Sequence, residues 1–239
     1  KNTFDYYKGI YHIDSLKNIN AEPGNKLQQR FSSVENYFYP VFISSDSMLY
    51  LKSSYKATPA FYIKDSLGEH FLRNRDISSE EQFSYRKGKI VYAATENHPR
   101  WRWEGYSVIK LLDIKTNNQR SISKRSRYFS PDISFDGKQI IANHSLMNGG
   151  SSLILLDAEN GQVLKEIIDA DIHYFSTPKF VNDSIIISSI RFAKGKNALA
   201  LINLNSEKIE KITPSTFNTI GQVNVSNDTA YFIASQGLK

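Results

Sequence analysis

Cysteine is absent from the 239 residues, which excludes a disulfide frame, thiolate chemistry and a cysteine-ligated zinc site. No apolar run approaches the roughly 18 residues that a membrane-spanning helix requires. No block of five like charges occurs, and the net charge of +6 is spread along the chain. Basic residues interleaved with acidic ones form a solvated surface, so charge does not point to nucleic acid as a partner. The G-x-S-x-G elbow of serine hydrolases, the H-E-x-x-H zinc motif and phosphate-cradling glycine loops are all missing. The five histidines, His12, His70, His98, His144 and His173, are far apart in sequence. Neither a metal nor a cofactor is expected, and the chain is not expected to be a catalyst.

What is present favours strands. Apolar residues make up 40% and charged residues 23%, an ordinary balance for a globular protein, yet glycine numbers only 12 beside 14 Tyr and 14 Phe. Tyr and Phe at that density, with abundant Ile, Val, Ser and Thr, suit pleated, half-buried surfaces. The length allows one large all-β domain or two small ones. The chain begins at Lys1 and stops at Leu238-Lys239, just after a strand-like run, as expected of a processed form or a piece of a longer protein.

The stretch "RYFSPDISFDGKQIIA" (127–142) reads as a hairpin turning at Asp136-Gly137. The same layout recurs in "FISSDSMLYL", "SYRKGKIVYA", "KFVNDSIIIS" and "NVSNDTAYFI". Their turn residues Asp46, Gly88, Gly137, Asp183 and Asp228 lie 42, 49, 46 and 45 residues apart. A second hairpin series falls between them: "IYHIDSLKNI", "FYIKDSLGEHF", "KLLDIKTNNQRSI", "ILLDAENGQVLKEI" and "LINLNSEKIEKI". There the polar residues Asp14, Asp65, Asp113, Asp157 and Asn203 end each first run, with spacings of 51, 48, 44 and 46. Asn and Asp suit these places because their side chains cap a tight bend.

Two interleaved series with one period mean four strands per repeat. A four-stranded sheet of this size cannot bury both faces alone, whereas radial stacking of such sheets around an axis can. The expected fold is therefore an all-β propeller of four-stranded antiparallel blades, a single domain over 1–239. The blades fall near 37–76, 82–125, 128–170 and 174–214, with partial blades at 9–31 and 221–235. This is about five blades' worth of chain, either closed as five or forming part of six. One segment, "GQVLKEIIDADI", has apolar residues at helical spacing (Leu164, Ile167, Ile168, Ile172), but its place in the repeat assigns it to a strand.

The run Ser130-Pro131-Asp132-Ile133-Ser134-Phe135-Asp136-Gly137-Lys138, followed by "IIANHSLMNGGSSLILLDAENGQ", resembles the repeat of TolB-like (PD40-type) propellers. That repeat runs approximately S-P-D-G-K, a small apolar strand, then xxLxLLDxxxG. The other copies match in layout, with Asn182-Asp183 and Asn227-Asp228 in place of Asp136-Gly137. The tryptophan–aspartate dipeptide of the other large propeller family and the S-x-D-x-G-x-T-W box of sialidase-type propellers are both absent. The resemblance implies a bacterial, extracytoplasmic module of the periplasm or outer-membrane surface, binding or scaffolding proteins or peptides and often joined to other domains. It implies no specific ligand. It extends to propellers that shield serine peptidases, so an accessory propeller whose catalytic domain lies outside this chain is the alternative.

The most unusual stretch is "ENHPRWRWEGY" (96–106), which holds both tryptophans and connects the second and third strands of its blade. Such connections share one face of a propeller with those from a fourth strand to the next first strand. His98, Arg100, Trp101, Arg102 and Trp103 are thus expected beside Lys124, Arg125, Arg127 and Tyr128 of "KRSRYF". Asp171, His173 and Tyr174 follow on the next connection. Tryptophan and arginine anchor many interfaces, though Trp101 or Trp103 could equally pack across the channel mouth. A glycan enzyme would need inward carboxylates on several innermost strands. Asp132 is the clearest of few, beside Lys179 and Gln222.

Overall fold

The computed structural model describes residues 34–101, 103–226 and 229–235, and the architecture below is that of the unit Glu35–Lys239. The first sheet contains β1 (Glu35–Phe42), β2 (Met48–Ser54), β3 (Ala57–Asp65) and β4 (Gly68–Asn74). The second contains β5 (Ser84–Arg86), β6 (Lys89–Asn97), β7 (Gly105–Asp113) and β8 (Asn118–Ser121). The third contains β9 (Tyr128–Ile133), β10 (Gln139–Ser145), β11 (Ser151–Asp157) and β12 (Val163–Ile167). The fourth contains β13 (Ile172–Asn182), β14 (Ile185–Phe192), β15 (Asn197–Asn203) and β16 (Ile209–Lys211), and β17 (Ile220–Ser226) pairs with β18 (Thr229–Ala234). All pairings join consecutive strands in antiparallel register, giving four four-stranded sheets and one two-stranded sheet among the described residues. This is a β-propeller.

Two expectations lie outside the described residues: the partial blade at 9–31, and any pairing of Tyr11–Leu16 with Thr229–Ala234. The segment with helical spacing is strand β12, with Leu153 opposite Ile167 and Leu155 opposite Lys165. Of that segment, Val163, Leu164 and Ile168 are exposed, as befits an outermost strand, while Ile167 and, at the start of β13, Ile172 enter the core. Of the stretch "GGSS", Gly149 and Gly150 belong to the connection, whereas Ser151 and Ser152 are buried and open β11.

The second strand of each blade shows why the sheets stack. Side chains of a strand alternate between its two faces. Ile90 packs in one cluster with Leu49, Leu51 and Phe61 of the first sheet. Its neighbour Val91 packs in another with Ile133, Ile140 and Ile154 of the third. Ile141 then joins Phe180 and Ile186 of the fourth sheet, and Ile187 joins Ile220 and Val223 of the fifth. Sheets covered on both faces need continuous apolar runs rather than alternating ones, hence "KIVYAA", "QIIA" and "SIIIS".

The innermost strands break their ladders at one recurring place. Tyr39, Ser130, Thr177 and Gln222 have φ of 52°, 48°, 46° and 49°, each beside a register shift against the second strand. Proline follows the first three, at Pro40, Pro131 and Pro178. Bulges of this kind free backbone groups that need partners elsewhere. Glu80, on the connection between β4 and β5, accepts the Ser130 N–H at 2.7 Å and its hydroxyl at 2.8 Å. Asp132 accepts the Phe180 N–H at 2.8 Å, with Lys179 Nζ at 3.3 Å. Each carboxylate on one blade thereby holds the bulged strand of the next.

Asp65, Asp113, Asp157 and Asn203 cap the turns of the second hairpin series. Their Oδ1 atoms accept the N–H groups of Leu67, Thr116, Asn160 and Asn205 at 2.8 to 2.9 Å. Those backbone donors hold the three aspartate carboxyls below their ordinary range. A lowered folded-state value contributes stability that is complete above the unfolded-state value and is lost as pH falls through the folded one. We expect the melting temperature to fall on acidification from about pH 5 to about pH 3. The double variant Asp113→Asn, Asp157→Asn, which copies the native Asn203, should fall less steeply in the same thermal scans. A separate expectation concerns Asp132, only 2% exposed. Asp132→Ala orphans the Phe180 N–H and the Lys179 cation and should cost about 3 kcal/mol in urea denaturation.

Candidate functional site

The connection 98–104 after β6 is built around one imidazole. His98 Nδ1 accepts the N–H groups of Arg100 and Trp101, both at 3.1 Å. The His98 N–H donates to the Glu104 carbonyl at 2.8 Å, and the Glu104 N–H to the Trp101 carbonyl at 2.9 Å. The Arg100 guanidinium lies 5.3 Å from the Trp101 ring centroid. Tyr106 donates to Glu104 Oε1 at 2.7 Å, and that bond raises the phenol's pKa. His98 is therefore the internal brace of the loop, and it presents Arg100 and Trp101 outward.

Serines fix the neighbouring connection, 122–127. Ser123 Oγ accepts the Ile109 N–H at 2.9 Å and meets Ser126 Oγ at 2.7 Å. Ser126 Oγ donates to the Ser107 carbonyl at 2.7 Å, while the Ser107 N–H returns a bond to the Ser126 carbonyl at 3.0 Å. Arg127 projects from this frame and directs Nη1 to Met147 Sδ at 2.9 Å.

The two connections meet in an open depression of about 610 Å³, lined by Arg100, Trp101, Trp103, Glu104, Gly105 and Arg127. Four expected residues thus share one surface. The tryptophans do not close the channel: Trp101 is 59% exposed and Trp103 is fully exposed. Arg102 lies outside the described residues. Lys124 and Arg125 are exposed but do not line the depression. Tyr128 is half-buried, its ring edge-on to His144 with centroids 5.1 Å apart, and burial raises its pKa. Tyr174 is half-buried and His173 exposed, neither lining the depression. Asp171 lines a different depression, of about 580 Å³, with Phe192, Lys194, Lys196 and Lys211.

Sequence reasoning missed Met147, Lys194 and Lys196. Met147 sits in "SLMNGG" and the lysines in "AKGK", the connections equivalent to "HPRWRW" in the next two repeats. Alignment of the repeats at their turns carries the signal for all three.

Two other polar clusters bear on chemistry. His144, Ser152 and Glu166 converge, with Glu166 Oε1 accepting from Ser152 at 2.6 Å and lying 3.1 Å from His144 Nδ1. Hydrogen bonding from Ser152 lowers the Glu166 pKa. Both partners address the same ring nitrogen, with Ser152 Oγ 3.4 Å from Nδ1. A hydrolytic relay needs the serine on one nitrogen and the acid on the other, and Ser152 is fully buried. The cluster is a brace.

The innermost strands of all five sheets enclose a central cavity of about 470 Å³. Asp132, Lys179 and Gln222 all line it, as do Ser84, Arg86 and Asn224. Among the lining residues Asp132 is the single carboxylate, and its bonds to Lys179 and Phe180 occupy it. The pair of carboxylates that glycoside hydrolysis requires is not assembled there. Among the described residues no group of three or more His, Asp and Glu side chains is placed to hold a metal ion. No helix of the described residues is long and apolar enough to cross a membrane.

No protein-family model and no curated protein matches the sequence. Among solved structures, TolB from Acinetobacter baumannii is 16% identical with a TM-score of 0.61, over 84% of this chain and 55% of that one. A prolyl endopeptidase structure is 10% identical with a TM-score of 0.58, over 86% of this chain and 33% of that one. The β-propeller domain of the Trilobed protease from Pyrococcus furiosus, described as having an open velcro topology, is 11% identical with a TM-score of 0.50. That match covers 87% of this chain and 80% of the propeller domain. The fold is that of TolB-like β-propellers, and the chain spans about half the length of the TolB structure. Because Trp101 and Trp103 are exposed, Trp101→Ala and Trp103→Ala should each change stability by less than about 0.5 kcal/mol in urea denaturation.

Proposed function

We propose that this chain is the non-catalytic, protein- or peptide-binding propeller of a bacterial extracytoplasmic protein, in the periplasm or at the outer-membrane surface. Its contact surface is the depression between the two connections. One observation carries the reading: both tryptophans stand exposed beside Arg100 and Arg127 on loops braced by internal hydrogen bonds. Exposed aromatic rings gain free energy when a partner removes them from water, and guanidinium groups give that contact direction. A braced surface also loses little conformational freedom on binding. Residues Arg125, His173, Asp171 and Tyr128 belong to the wider face.

The accessory propeller of a peptidase is the second reading. It is favoured by the prolyl endopeptidase match, in which most of this chain corresponds to a minor part of a longer enzyme. Both readings make this chain a partner-binding body and differ in what is joined to it.

Because the chain has no other tryptophan, intrinsic emission reports on the site directly. Peptides selected from a displayed library on the native chain should shift or quench that emission. Their affinity should fall at least about tenfold for the variant Arg100→Ala, Arg127→Ala. Selected peptides that leave the emission unchanged and bind this variant equally well would defeat the proposal.

A further inference from the structure

We propose that the central cavity is a second binding site, one that takes a small carboxylate-bearing ligand on Arg86. The cavity reaches the ends of the innermost strands at Phe42, Arg86 and Ser226, next to the turns into β2, β6 and β18. The Arg100–Trp101 depression lies on connections at the opposite end of the strands. The two sites are therefore distinct.

The wall carries two cations and one carboxylate: Arg86, Lys179 and Asp132. Asp132 and Lys179 satisfy each other at 3.3 Å, which leaves the charge of Arg86 unmatched. Among the described residues Arg86 forms no ion pair, and its buried Nε has no hydrogen-bond partner. The guanidinium carbon lies 3.8 Å from the centroid of the Phe135 ring. Stacking of this kind fixes the plane of the fork before a ligand arrives. A half-buried cation without a partner is unfavourable, and the counter-group that best fits its paired donors is a carboxylate.

Strand β17 supplies the polar surroundings. Gln222, Asn224 and Ser226 line the same cavity. Asn224 Oδ1 already accepts the Val225 N–H at 2.9 Å, so its Nδ2 donors are the end left for a ligand. A volume of about 470 Å³ suits a small organic molecule. One unmatched cation favours one carboxylate over a doubly charged phosphate. The carboxylate could come from a free organic acid or from the C-terminus of a peptide.

Thermal shift and calorimetry on the whole chain test this, with lactate, benzoate, inorganic phosphate and a tripeptide whose C-terminus is either free or amidated. A carboxylate probe should raise the melting temperature, and Arg86→Gln should weaken its binding at least about tenfold. Asn224→Asp, which adds a like charge to the wall, should weaken it as well. In the native chain, hydrogen exchange across Ile220–Ser226 should slow when the probe is bound, a readout that needs no variant. Binding of the free but not the amidated tripeptide identifies a peptide terminus as the source, and binding of lactate or benzoate identifies a small acid. Absence of carboxylate binding up to about 10 mM, equal affinity in Arg86→Gln, or preference for phosphate overturns the proposal.

Discussion

The second, third and fourth sheets of this fold each have two apolar faces, and neighbouring sheets are what cover them. The adjacent residues Ile90 and Val91 of one strand belong to clusters on opposite sides of the same blade. Ile186 and Ile187 repeat the arrangement two blades later. A single such blade would leave both of its apolar faces in water, so stability resides in the contacts between blades. The remaining features follow from this constraint. Radial stacking draws the first strands together around a channel, sends the connections to its two ends, and leaves the fourth strands as the exposed rim.

The polar bonds between blades refine what the apolar contacts begin. Glu80 reaches Ser130, Asp132 reaches Phe180, and Ser151 Oγ accepts the Phe175 N–H at 2.7 Å. Each joins a side chain of one repeat to the main chain of the next. Such bonds define the angular register between sheets, which apolar packing alone specifies weakly.

The architecture was legible because turn chemistry repeats even where the words differ. Asp65, Asp113, Asp157 and Asn203 perform one hydrogen-bonding task, so their spacing shows the repeat in sequence. The shared surface of Arg100, Trp101, Trp103 and Arg127 was legible for the same reason, since layout determines the face on which a connection emerges. Side-chain direction was not legible. Nothing in "ENHPRWRWEGY" distinguishes tryptophans packed across the channel from tryptophans standing in water, because that depends on how His98 folds the loop. The isolation of Arg86 was hidden too. It depends on Asp132 being engaged by Lys179, 47 residues further along the chain.

The bulges beside Tyr39, Ser130, Thr177 and Gln222 bear on how the channel recognises anything at all. A regular innermost strand would offer the lumen a row of backbone donors and acceptors, on which an incoming extended chain could add itself as a further strand. Pro40, Pro131 and Pro178 remove donors from that row, and the kinks interrupt its spacing. The lumen is consequently a poor template for main-chain pairing, and its selectivity falls to individual side chains.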